Sequence, residues 1–189
     1  LLLLEFHGSD ASVREQAESF GEIAADHEAR AFTFTTKPEE RTRLWAARHD
    51  AYLATLALRP GAKGISTDCC VPVSQLADCV TRAQEKAAEL DLIAPVVGHV
   101  GDGNFHTLPL VMMDDAAEVA RAREFVSWLN DLAISMGGTC TGEHGIGQGK
   151  APYLIRELGE GAIEMMVAVK RGVDPFNLFN PGKILVSDV

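Results

Sequence analysis

The stretch Gly98-His99-Val100-Gly101-Asp102-Gly103-Asn104-Phe105-His106 constrains this chain more than any other. Its three glycines argue against a helix. Val96 and Val97 lead in as a strand, residues 105–111 lead out as another, and Asp102-Gly103 between them is a hairpin signal. A two-residue turn centred there sets His99 directly opposite His106 on one face. Side chains so placed start about 4.5–5.5 Å apart at Cβ, and two imidazoles at that spacing close on one metal ion with bonds of about 2.1 Å. In a helix the same two residues would stand about 10 Å apart, too far for one ion.

Polar residues facing water would produce the same pair. A second stretch, Thr141-Gly142-Glu143-His144-Gly145-Ile146-Gly147-Gln148-Gly149-Lys150, tells against that bland reading. Glu143-His144 supplies a hard oxygen ligand and a base, in a loop too glycine-rich for ordinary packing. His99, His106 and Glu143, with positions left open, make a catalytic-type metal set. Zinc or manganese suits it, and iron would be accommodated. The loop is not a nucleotide site. A Walker A motif ending at Gly149-Lys150 would need glycine where His144 stands and a hydroxyl residue at Ala151, and the Gly145-x-Gly147-x-Gly149 pattern lacks the dinucleotide-binding spacing. The glycines are expected to let backbone approach a ligand or to make room for neighbouring side chains.

The net charge of −10 argues against nucleic acid and against an anionic membrane surface as partners. Cys69, Cys70, Cys79 and Cys140 form no CxxC pair and read as buried, reduced thiols in a reducing compartment, the cytoplasm. The opening Leu1-Leu2-Leu3-Leu4-Glu5-Phe6 is too short for a membrane span and lacks a basic region, so it reads as a core strand entered part-way in a longer protein.

Periodicity predicts strands over 1–8, 31–36 and 66–71, and helices from Ser9 or Asp10, from Lys37 through Thr55, from Leu76 to Leu90, from Asp115 to Met136 and then to about Lys170. Asp115 and Glu118 suggest a capping box. The hairpin requires antiparallel pairing, so the fold class is α+β: an antiparallel sheet with helices packed on one face. Residues 1–170 read as one domain and 171–189 as a tail.

Arg48, on a helix beside Trp45 and His49, is in the ordinary case a solvated arginine; the alternative is a bidentate clamp on a substrate carboxylate. Lys63, in the loop after Pro60-Gly61, has the same two readings. His7, His27 and His49 read as surface residues, and Asp102 as a turn residue.

The two central motifs, together with Leu44-Trp45-x-x-Arg48-His49, Arg59-Pro60-Gly61, Thr67-Asp68-x-Cys70-Val71-Pro72 and Asp174-Pro175-x-x-Leu178-x-Asn180-Pro181-Gly182-Lys183, resemble the C-terminal domain of FAD-linked oxidases of the vanillyl-alcohol oxidase type. Within them the chain looks most like the D-lactate dehydrogenase and glycolate oxidase branch. The resemblance implies a ferredoxin-like cap domain and an N-terminal half that holds most of the FAD. It implies that His99, His106 and Glu143 ligate a divalent metal, that His144 is the catalytic base and that Arg48 holds the substrate carboxylate. Asn180 and Lys183 would lie in a tail returning to the flavin domain. In related D-2-hydroxyglutarate dehydrogenases a lysine aligns with Ser66 and an asparagine with Leu108, so a dicarboxylate substrate is disfavoured. The loop carrying Lys63 looks like the lactate branch.

The implied reaction oxidises a D-2-hydroxy acid to a 2-keto acid, with hydride passing to FAD and then to an electron acceptor that the sequence does not identify. This chain by itself would be folded but catalytically silent, and apolar surface left by the absent half would let it self-associate, as a homodimer for instance. A metal-dependent hydrolase with a zinc-bound water and a non-enzymatic small-acid binding module are the rival readings. The first would act alone on esters or amides, and the second would bind acids without metal.

Overall fold

The computed structural model describes residues 1–30 and 32–185. Two compact units emerge, Leu1–Ala54 and Thr55–Val189. The described residues form an α+β fold of helices and small antiparallel sheets.

The first unit holds α1 (Asp10–Asp26) and α2 (Pro38–His49). Ser9 caps α1 by accepting from the Ser12 N–H, and Pro38 starts α2 where its missing N–H costs nothing. The strands expected over 1–8 and 31–36 do not form among the described residues; Ala31 lies outside them. Both segments run without a ladder partner, and their rings pack as a cluster instead. Phe20 of α1 meets Phe6 at 6.2 Å and Phe32 at 5.6 Å, and Phe32 stacks on Phe34. Apolar alternation read as strand here serves side-chain packing on a helix. The single helix expected through Thr55 is broken at Asp50, and α3 (Ala51–Ala57) follows it.

The second unit is organised on the segment that follows the hairpin turn. β4 (Asn104–Thr107) and β5 (Leu110–Val111) run antiparallel to β2 (Cys69–Cys70) and β1 (Lys63–Gly64) on one side, and β4 pairs with β3 (Val96–His99) on the other. The register between 63–71 and 104–111 is unchanged from end to end, because Ile65 N–H donates to Pro109 O and Thr67 N–H to Thr107 O between the two ladders. Pro109 has no N–H to give, which separates one ribbon into two sheets.

Strand alternation then sorts the side chains. Cys69 and Phe105 face a core built with α4 (Val73–Glu89) and α5 (Ala116–Ser135), where Leu76, Cys79, Ala83, Phe125 and Leu129 are buried. The helices thus cover one face of the sheet, as periodicity predicts. The other face carries Asp68, Cys70, Asn104 and His106, and the glycine-rich loop lies against it through main-chain contacts to Asp68. Asp115 caps α5 by accepting from the Ala117 and Glu118 N–H groups. The return half of the expected capping box is absent: Glu118 accepts from the Met112 N–H and pairs with Arg59. The helical sequence after the loop divides at Gly159 into α6 (Ala151–Leu158) and α7 (Glu160–Val173), since Gly159 takes a left-handed φ of 81°.

All four cysteines are free. Burial pushes the Cys79 and Cys140 thiols up to about 11, which keeps them unreactive.

Candidate functional site

The hairpin turn differs from the two-residue turn expected. Val100–Asp102 form a 3-10 turn and Gly103 takes a left-handed φ of 76°. His99 therefore stands opposite Asn104, and His106 opposite Val97. The shift is by two residues, one full pleat, so both histidines stay on one face as diagonal neighbours, with ring centroids 6.5 Å apart. Gly98 is required beside the turn: a Cβ there would lie 2.6 Å from the Asn104 carbonyl oxygen.

His99, His106, Glu143 and His144 are brought together. Glu143 Oε1 lies 3.0 Å from His106 Nε2, 3.9 Å from His99 Nε2 and 3.7 Å from His144 Nε2. Ligands of one ion at bonds of about 2.1 Å sit roughly 3–3.5 Å apart, so modest side-chain adjustment would let the first three share a cation. His106 is the buried member and the others are about half exposed, which leaves the open side to solvent. His144 stacks on His106, with centroids 5.0 Å apart and planes within 7°.

His106 is oriented from behind. Its Nδ1 lies 2.8 Å from the Thr67 carbonyl oxygen, which can only accept, so Nδ1 carries a proton and Nε2 is the ring nitrogen that faces Glu143. The Glu143 carboxylate oxygen can only accept, so at 3.0 Å a proton or a metal ion belongs between the two atoms. Asn104 adds a second sign: its buried Oδ1 has no partner among the described residues, while its Nδ2 donates to Asp68. The donor set fits a divalent cation of the zinc or manganese kind.

A second cluster, Asp68, His106 and His144, has similar spacing. It competes poorly. Asp68 faces the protonated Nδ1 of His106, at 3.9 Å, and its own oxygens are already engaged. They accept from the main-chain N–H groups of Glu143 and His144, the Thr141 hydroxyl and the Asn104 amide, with Lys150 Nζ 3.5 Å away. Burial opposes its ionisation, yet the His144 and Glu143 N–H groups, the Thr141 hydroxyl and the Lys150 ammonium together hold it well below the usual carboxylate range. Sequence reading missed Asp68 as a site residue; Thr67-Asp68, between β1 and β2, carries no local signal that a distant loop will close on it.

Lys63 alternates onto the face of Thr67 and Cys69, near the far end of the ribbon, and is not brought to the cluster. Ser66 and Leu108 fall opposite each other on the cluster's own face, one step from Asp68 and His106. Leu108 is buried. Arg48 is half-buried on α2 in the first unit, and His7, His27 and His49 are exposed, as expected of surface residues. Asn180 and Lys183 are exposed in a turn where Lys183 N–H donates to Asn180 O. Asp174 ties down that tail by accepting from the Leu178 and Phe179 N–H groups, leaving the Phe176 and Phe179 rings uncovered. An amide, an ammonium and bare rings suit the margin of a large planar, anionic group held mainly by other residues.

The family described as FAD linked oxidases, C-terminal domain, matches residues 1–184. A probable mitochondrial D-lactate dehydrogenase of Danio rerio is 47% identical over 184 residues, 97% of this chain and 37% of that protein. The mitochondrial D-lactate dehydrogenase (cytochrome) of Arabidopsis thaliana is 40% identical over 97% of this chain and 32% of its own length. The glycolate oxidase subunit GlcD of Bacillus subtilis is 35% identical over 100% of this chain and 40% of its own. The chain thus spans between 32% and 40% of the length of these relatives. Among solved structures, a 4-ethylphenol oxidase of Gulosibacter chungangensis superposes with a TM-score of 0.59 over 92% of this chain and 37% of its own, at 15% identity, and shares the fold.

Proposed function

The chain belongs to the C-terminal domain family of FAD-linked oxidases, and we propose that it is the substrate- and metal-binding part of a flavin-dependent D-2-hydroxy acid dehydrogenase. The observation that carries this reading is the convergence of His99, His106 and Glu143 on one point with His144 beside it. His99, His106 and Glu143 would hold a divalent ion, which would make the substrate hydroxyl more acidic, and Asn180 and Lys183 would lie at the margin of the FAD that would supply the hydride acceptor.

The chain's own residues do the rest. His144 takes the hydroxyl proton at its imidazole, whose ring is held by the stack on His106. Arg48 takes the substrate carboxylate, where a planar guanidinium gives bidentate contact. Leu108, buried beside His106 on the same face, favours a small aliphatic side chain such as that of D-lactate over a second carboxylate. Lys63, in β1 on the face away from the cluster, is given no direct contact with the substrate in this reading.

Residues 1–170 form the cap in this reading and 171–189 the tail that meets the flavin domain, where uncovered Phe176 and Phe179 also offer a surface for self-association as a homodimer. No helix among the described residues is long and apolar enough to cross a membrane. Free thiols, buried at Cys69, Cys79 and Cys140 and half-buried at Cys70, suit a reducing compartment, the cytoplasm or an organelle matrix.

The test uses the whole protein that carries this chain, loaded with FAD and Mn²⁺ or Zn²⁺, with D-lactate, glycolate and D-2-hydroxyglutarate offered in turn and a dye as acceptor. D-lactate is expected to give the highest kcat/KM, and chelation to remove activity that the metal restores. Undiminished turnover after chelation and in His106→Ala would overturn the metal role. Hydrolysis of esters without dye reduction would overturn the reaction class.

A further inference from the structure

We propose that Asp68 is the positioning residue of this centre: the glycine-rich loop wraps the protein's own buried carboxylate, and that contact sets where Glu143 and His144 stand. The inference rests on the roles given to those two residues above. A loop that presents successive N–H groups to an anion is a familiar way to hold a ligand phosphate. Here the anion is internal. The Glu143 N–H lies 3.1 Å and the His144 N–H 2.8 Å from Asp68 Oδ2, and the Thr141 hydroxyl lies 3.0 Å from the same oxygen.

The far end of the loop is tied to the same residue, since Lys150 Nζ donates to the Asp68 carbonyl oxygen at 2.7 Å. The near end can close only because residue 142 is glycine. A Cβ there would lie 2.1 Å from Asn104 Nδ2 and 3.0 Å from Asp68 Oδ1. Asn104 itself is pinned by donating to Asp68 Oδ1 at 3.3 Å. One carboxylate therefore gathers the loop, the strand that bears His106 and the residue opposite His99. It can do so only as an acceptor: an amide in its place would turn N–H groups toward donors, and a longer glutamate would enter the space that Gly142 and Asn104 fill.

The test is Asp68→Asn in the whole protein, read by hydrogen exchange of individual amides and by titration with Co²⁺ followed by its visible absorption. The Glu143 and His144 amides are expected to exchange at least tenfold faster while those of α5 keep their native rates. Co²⁺ affinity is expected to fall at least tenfold with one ion per chain still bound at saturation. Native exchange at both amides overturns the proposal, and so does equal acceleration throughout the chain, which would mark Asp68 as general fold support. Loss of the bound ion at saturating Co²⁺ would make Asp68 a ligand and likewise overturn it. If native protein takes up no Co²⁺, the metal reading above fails, and the exchange arm still decides the role of Asp68. If Asp68→Asn does not fold, Thr141→Val removes one donor from the same carboxylate and should give the same local pattern about threefold weaker; native exchange in that variant counts against the proposal.

Discussion

The carbonyl oxygen of Thr67 lies 2.8 Å from Nδ1 of His106, so the ring's back is committed and only Nε2 faces Glu143. An asparagine amide reaches where Nδ1 stands but not where Nε2 stands. His106→Asn should therefore keep the contact to Thr67 and lose the ligand atom. We expect thermal stability within a few degrees of native and metal affinity reduced by about 100-fold or more, beyond what loss of a supporting contact does. Elemental analysis after mild purification checks it; native metal content would remove His106 from the ligand set.

Glu143 and His144 should separate cleanly. In the whole protein His144→Ala is expected to lower kcat by about 10²–10⁴-fold, the range for a lost general base, with metal content near native. Glu143→Ala should lower both. Equal loss of metal in the two variants would reverse the assignment.

Much of this centre is legible in the sequence. Both hairpin histidines share a face because the turn's real length differs from the two-residue turn by a whole pleat; an odd difference would have parted them. Glu143 and His144 stand out by their glycine setting. Asp68 does not, because its importance comes from a loop that contacts it only in the folded chain. The segments over 1–8 and 32–36 mislead for the same kind of reason: alternation reports which residues want burial, and a helix bearing Phe20 can satisfy that as well as a sheet can. The breaks at Asp50 and Gly159 show the limit of periodicity at helix ends.

Arg59 and Glu118 give a pH prediction. Arg59 donates to the Leu110 carbonyl oxygen at 2.8 Å and pairs with Glu118, which also accepts from the Met112 N–H. The contact with Arg59 and the Met112 N–H outweigh burial and hold the Glu118 carboxyl below its ordinary range. A depressed folded value means the stability it contributes is complete above the unfolded pKa, about 4.3, and is lost as pH falls through the folded one. Glu118→Gln should lower Tm by about 3–8 °C at pH 7. The gap between native and variant should stay flat down to about pH 5 and narrow below about pH 4. A gap that instead closes as pH rises toward 8 would show that another group is responsible.

Gly142→Ala should damage the centre more than the fold. The added methyl collides with Asn104 and crowds Asp68, while α4 and α5 keep their packing. We expect a native circular dichroism spectrum with metal affinity reduced about tenfold or more, as for loss of an orienting partner. Native affinity in Gly142→Ala would mean that the loop closes without needing that space.

The joined residues lie far apart along the chain. Thr67 and His106 are separated by 39 positions, His106 and Glu143 by 37, and Asp68 and His144 by 76. Closing loops of that size costs entropy before any contact repays it, so no local fragment can assemble the cluster. An ion that recognises only the finished arrangement cannot seed folding. A bound ion would act as a latch fitted last, leaving the folding rate nearly untouched and slowing the unfolding rate in proportion to its affinity.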